Sequence, residues 1–429
     1  KTLSGLSRFL KKSQWLGVSN RYSEKTTRRI KTEQENGGLL NPRNLSQYIA
    51  ASSVLHGADG WSYVGKSLWS LLRGDIGRAV HLAYYAELRA AMSLFASEGI
   101  GVFDRYHYYI DAPCSVKLIR RGNPTHQFVW DCLEYWATIQ SSSDLLASIV
   151  KPLGQNLAEW HHPLNTGAKG LAPQSQAWFR DWGIDLEVFA KDRNSRNDAS
   201  YRPDGIPSIA KVSGEDSLNF VRNVWAALEP SSTSNFENID RHLLRLSLEN
   251  RFKGLTNKTA AADPHAFRRF LQPIIQYQNQ SELFEQKWLD FMERKSSAED
   301  LQILQLSQVL PNAIESSPLA VISRAILLSR VAAGSIESLI NEAGFDPSKL
   351  SFWWSEIGTS KGLWHRDNVP ESALDLWSDI EMTIADVDNY QSGRGCDEQT
   401  IYDIGVELGH SLAALSSCER VAVWNIAAE

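Results

Sequence analysis

Sulfur is scarce in this chain, with four Cys and three Met among 429 residues. Cys114, Cys132, Cys396 and Cys418 stand far apart and form no C-x-x-C pair. That excludes a disulfide framework and the usual zinc-ligand spacings. Separate thiols of this kind fit a reducing cytosol, and neither a metal nor another cofactor is expected. Long apolar runs are lacking too: none reaches the roughly 18–20 uninterrupted residues of a spanning helix. The most apolar stretch, Leu319–Ala333, is broken by Arg324 and Arg330, so no membrane partner is expected. The first residues carry no apolar signal core. They begin at Lys1 rather than Met, which leads us to expect a segment before them. Large net charge is also absent: 44 basic against 50 acidic residues give −6, excluding a protein coated in basic charge.

Tryptophan, by contrast, is abundant at 15 residues. Each indole is a large apolar surface whose N–H still needs a partner, so most belong in helix packing. With 43% apolar and 22% charged residues the chain is neither disordered nor fibrous. Its length suits more than one domain.

The mild average charge hides an asymmetry. Residues 1–32 hold Lys1, Arg8, Lys11, Lys12, Arg21, Lys25, Arg28, Arg29 and Lys31 against the single acid Glu24. That is +8, leaving −14 for the remainder. Such an arm, taken as residues 1–44, can contact nucleic acid or an acidic partner; the competing reading is an arm docked on the acidic body.

From Leu45 onward the apolar spacing is helical. Over Ile76–Ser97, residues Val80, Ala83, Tyr84, Leu88, Met92 and Phe95 share one face, and Gly99 and Gly101 stop the helix. Residues 102–121, aromatic and β-branched around Pro113, suit a short hairpin or loop. Phe128, Val129, Leu133 and Trp136 define a helix over Thr125–Ile139. Residues 151–175 read as a long loop. Further helices are expected at 175–190, 213–228, 236–252, 265–278, 281–294, 298–310, 318–343, 371–388 and 397–417, with a loop from 344 to 370. The Ser/Thr/Asn cluster at 231–235 marks a linker or turn. No repeat and no strand–helix alternation is present, so the fold class is all-α, divided as 45–230 and 236–429.

Several letter matches to catalytic motifs fail on context. Gly60-Trp-Ser-Tyr-Val-Gly65-Lys66-Ser67 spells a phosphate loop, but no buried strand precedes it and its variable positions are bulky. A helix-entry turn is the better reading. Gly358-Thr-Ser360-Lys-Gly362 spells a nucleophile elbow without the strand and helix that would flank it. His161-His162 lacks a third ligand and reads as structural.

The most informative stretch runs from Asp192 to Pro203, where Arg193, Arg196 and Arg202 stand among Asn197, Ser200 and Tyr201. A guanidinium presents a planar fork of donors that fits phosphate, and Asn197 can orient it. Tyr201 can donate a hydrogen bond but is a poor base near neutrality. A polar helix cap is the structural alternative.

Residues 45–230 resemble the HEPN superfamily, small helical domains of prokaryotic toxins, defence systems and RNA-processing proteins. Two segments carry the resemblance. One is the helix beginning His81-Leu-Ala-Tyr84-Tyr85-Ala and ending near Gly99; the other is Arg196-Asn197-x-x-x-Tyr201, followed by a final helix from Glu215. The resemblance implies a metal-independent endoribonuclease acting as a homodimer. Arg196 would meet phosphate and Asn197 would position it. Tyr201 stands where the family's motif has His, so the proton carrier must come from elsewhere, with His126 and His162 as candidates, or the domain binds without cutting. Backbone affinity would come from Lys11, Lys12, Arg28, Arg29, Lys31 and Arg193. The leading expectation is an RNA-binding or RNA-cleaving component of a toxin or antiviral-defence system, working with a protein partner. The alternative is a non-catalytic helical scaffold subunit. No family is recognised in residues 236–429.

Overall fold

Proline and short polar side chains start most of the long helices. Pro42 sits in the first turn behind Asn41, whose side chain accepts from the Asn44 amide at 2.9 Å. Asp75, Ser213, Asp263, Ser281 and Ser317 cap their helices in the same way. The structure is a computed structural model. It describes residues 2–10, 12, 14–111, 115–164, 179, 182, 188–189, 197, 212–309, 317–345, 350–365, 367, 369–393 and 400–427.

The principal helices are α1 (Thr26–Glu35), α2 (Pro42–Leu72) and α3 (Ile76–Ser97). Strands β1 (Ile100–Phe103), β2 (Tyr106–Ile110) and β3 (Val116–Arg121) follow, then α4 (Thr125–Trp136) and α5 (Gln140–Ile149). Later come α6 (Gly214–Leu228), α7 (Glu237–Thr256), α8 (Pro264–Gln276), α9 (Glu282–Met292) and α10 (Pro318–Glu342). The chain ends with α11 (Ser351–Lys361), α12 (Ala373–Gly393), α13 (Ile401–Glu407), α14 (Gly409–Leu415) and α15 (Glu419–Ala427). The fold is predominantly α-helical, as the apolar spacing predicts.

Helices α2 and α3 form an antiparallel hairpin whose tight turn uses Gly74 at φ 74°. They approach closely because Gly60 faces the α3 backbone, where a Cβ would lie 3.6 Å from Ala86 O and Ala90 N. Helix α10 packs on both, and α15 packs on α2 and α10. One hydrophobic cluster therefore extends from Leu3 to Trp424, with members on both sides of the 231–235 turn. Helix α10 is long and apolar enough to span a bilayer, yet it lies in this interior. Arg324 donates there to the Ser307 and Val309 carbonyls, and Arg330 pairs with Asp240.

Three local expectations are corrected and one is extended. Residues 42–72 form one unbroken helix, so Gly60–Ser67 lies within it rather than at a turn entering it. The hairpin expected at 102–121 is present and extends to a three-stranded antiparallel sheet over 100–121 ordered β1-β2-β3, with Asp104 at φ 51° in the first turn. Within the expected loop 344–370, α11 forms because Trp353, Trp354 and Ile357 bury along one side. The elbow-like Gly358–Gly362 is its last turn, with Gly362 as the left-handed cap. Helices α1 and α5 were not expected and are present.

The basic arm is docked through its apolar residues. Leu3, Leu6, Leu10 and Trp15 are buried, Trp15 meeting Phe352 and Trp353 edge-on at 5.7 and 5.4 Å. Tyr22 and Ile30 join a second cluster with Leu45, Phe103 and Tyr106 that ties α1 to the sheet.

Candidate functional site

Helical spacing on α3 and α4 sets a group of aromatic and histidine side chains against one another. His81, Tyr84 and Tyr85 fall at i, i+3 and i+4 on α3, and His126 and Trp130 lie one turn apart on α4. Tyr84 Oη lies 2.8 Å from His126 Nδ1. Trp130 Nε1 donates to the same oxygen at 3.4 Å. A phenol oxygen can both accept and donate. It can serve His126 Nδ1 whether that nitrogen accepts or donates.

The rings pack closely around this bond. His126 stacks on Tyr84 with centroids 5.7 Å apart and meets Tyr85 edge-on at 6.1 Å. His81 lies 5.0 Å from Tyr85, Tyr63 stacks on Tyr85 at 5.7 Å, and the Lys66 ammonium sits 5.2 Å over Tyr63. Glu87, one turn beyond Tyr84, is fully buried, which a carboxylate tolerates only when paired. A fixed imidazole can move a proton, and aromatic faces beside a cation can hold a base.

Trp130 also stacks on Phe189, centroids 4.8 Å apart and planes 5° from parallel. Phe189 stands three residues before Asp192, the start of the Arg-rich stretch in the sequence. Within that stretch Asn197 is helical and half-buried. Arg193, Arg196 and Tyr201 lie outside the described residues, as does Lys11. Lys12, Arg28, Arg29 and Lys31 are exposed. Arg29 donates to the Arg21 carbonyl, and Lys31 lies 3.9 Å from Glu35. The tie between Tyr84 and His126 was not read from sequence, although His126 one turn before Trp130 was its available signal. Among the described residues no group of three or more His, Cys, Asp or Glu side chains could hold a metal.

The two adjacent histidines diverge. His162 stacks on Tyr277 at 5.3 Å, while fully buried His161 pairs its Nε2 with Ser247 Oγ at 3.1 Å. Burial, with Arg251 nearby, lowers His161 to about 4. The unfolded chain therefore takes up a proton near pH 6.5 that the folded chain refuses until about pH 4. Stability contributed by this residue is complete above 6.5 and falls as the pH drops. Between pH 6.5 and 5 the loss should be about 1–2 kcal/mol. Urea unfolding of His161→Gln against the parent at both pH values checks this; equal pH slopes would refute it.

No protein-family model, no curated protein and no solved structure matches the chain.

Proposed function

We propose that this protein engages RNA through a HEPN-like helical half and cleaves it without metal. Arg196 would neutralise charge developing on the phosphate, Asn197 would position it, and Tyr201 would donate a hydrogen bond from the family's histidine position. His126, which Tyr84 holds at Nδ1, would carry the proton that Tyr201 cannot. The observation that supports this reading is the Trp130–Tyr84–His126 array, with Phe189 stacked on Trp130. The exposed Lys12, Arg28, Arg29 and Lys31 would add backbone affinity that falls steeply with salt.

Mixed single-stranded RNA incubated with the purified chain in chelator tests it. Cleavage should vanish in Arg196→Ala. It should fall about 10²–10⁴-fold in His126→Ala, with RNA binding retained. Tyr84→Phe keeps the ring but removes the hydroxyl and should fall between. Salt-sensitive binding without cleavage would leave an RNA-binding component. Neither activity, with a protein partner co-purifying, would overturn the reading in favour of a scaffold subunit.

A further inference from the structure

Two helix faces and a strand leave a small cavity between them. Tyr48, Ser52 and His56 recur every fourth residue on α2, and Arg89, Met92 and Ala96 follow helical spacing on α3. The hairpin is antiparallel, so His56 and Arg89 meet at one end of the cavity and Ile49 and Ala96 at the other. Strand β1 closes that second end with Ile100, Gly101 and Phe103. The enclosed space is about 120 Å³. Ile49, Ala96 and Phe103 are buried, whereas His56 and Arg89 are half-buried. The cavity is therefore apolar in its depth and polar toward solvent.

Its polar end consists of donors. Arg89 Nη1 lies 3.1 Å from His56 Nδ1. A guanidinium can only donate, so Nδ1 accepts and the ring hydrogen sits on Nε2. Burial first, then the Arg89 charge, lower His56 to about 3, which keeps the imidazole neutral near pH 7. The bond holds the two side chains against each other and uses one of the five guanidinium N–H groups. Exposed Asp59 stands 3.7 Å from Arg89 Nε, too far for a hydrogen bond, and it is not part of the lining. Among the described residues Arg89 and His56 make no other hydrogen bond or ion pair. The lining thus holds one cation, no carboxylate and several unused N–H donors.

We propose that this cavity binds a short-chain monocarboxylate, with its carboxylate on Arg89 and His56 and its alkyl chain among Ile49, Met92, Ala96 and Phe103. Charge-assisted hydrogen bonds hold the head, and removal of methylenes from water holds the tail. A purely polar anion such as phosphate would gain only the first. A cavity of roughly 150 Å³ holds the six carbons of benzene, so this one suits a chain of about four carbons. No residue of the RNA reading takes part, and the proposal does not rest on it.

Calorimetric titration of the full chain with acetate, propionate, butyrate and hexanoate at constant ionic strength tests it. One saturable site is expected, tightening about fourfold per methylene up to butyrate and levelling off once the cavity is full. Butyramide, which keeps the shape and lacks the charge, should bind at least about tenfold more weakly. That comparison is made on the parent chain and needs no variant. Arg89→Gln should weaken butyrate about tenfold or more, while Arg78→Gln, exposed on the same helix, leaves it unchanged. Ala96→Val narrows the apolar end and should weaken butyrate more than acetate. Each variant's thermal melt is compared with the parent's to confirm folding. The proposal is overturned by the lack of saturable butyrate binding or by affinity indifferent to chain length. Butyramide or inorganic phosphate binding as tightly as butyrate would overturn it as well.

Discussion

Asp240→Asn should cost the fold about 3–5 kcal/mol, because it removes one charge of a fully desolvated pair and strands the other. Asp240 and Arg330 are both buried, and the guanidinium is bidentate, Nε to Oδ1 at 3.0 Å and the terminal nitrogen to Oδ2 at 2.7 Å. The same nitrogen donates to the Ile149 carbonyl at 2.7 Å, and the Lys151 amide donates to Asp240 Oδ2 at 2.8 Å. Helices α5, α7 and α10 meet at this one point, with the Arg330 guanidinium 4.5 Å over the Phe236 ring. Asparagine keeps the shape and loses the charge, leaving Arg330 uncompensated. Urea unfolding followed by tryptophan fluorescence measures the loss; less than about 1 kcal/mol would mean the pair behaves as a hydrated one. The double replacement Asp240→Leu with Arg330→Met should recover most of the stability, because it removes both desolvation costs together.

Gly65→Ala should destabilise the protein by about 1–3 kcal/mol through overpacking. In an ordinary helix interior the same change would stabilise by about 1 kcal/mol, so the sign is diagnostic. Gly65 lies inside α2, where a Cβ would run into the Ser416 carbonyl oxygen and lie 3.1 Å from the Cys418 amide. Both are backbone atoms of the turn between α14 and α15 and cannot swing aside. A phosphate-loop role for Gly60–Ser67 would give the opposite pattern, with nucleotide affinity lost and melting temperature kept. A thermal melt separates the two: a raised melting temperature in Gly65→Ala would refute the packing account.

These two residues show where sequence reading succeeds and where it stops. Spacing alone located α3, and every residue assigned to its inner face, from Val80 to Phe95, is buried. It also located α4 through Phe128, Val129, Leu133 and Trp136, all buried. Periodicity works there because one apolar stripe must face the core. It was weaker for α11, where Gly358 and clustered tryptophans resemble a loop until Trp353, Trp354 and Ile357 are seen to bury together. It was weakest for α2, whose Gly57, Gly60 and Gly65 look like breaks and are instead points of close approach. Of the candidate site, His126 was legible only as one of two alternative histidines. Its bond to Tyr84 crosses 42 residues and two helices.

By itself the sequence determined the helical class, the separate thiols, the basic arm and the faces of the long helices, because these follow from local periodicity and composition. Only the tertiary structure decided which faces meet. It set Arg330 on Asp240 across 90 residues, seated Gly65 against the chain at Ser416, and brought Arg245 of α7 and Arg294 together on Asp300. The reason is physical: a side chain's spacing along a helix depends on its neighbours in sequence. Its partner depends on where another helix, remote in the chain, comes to rest.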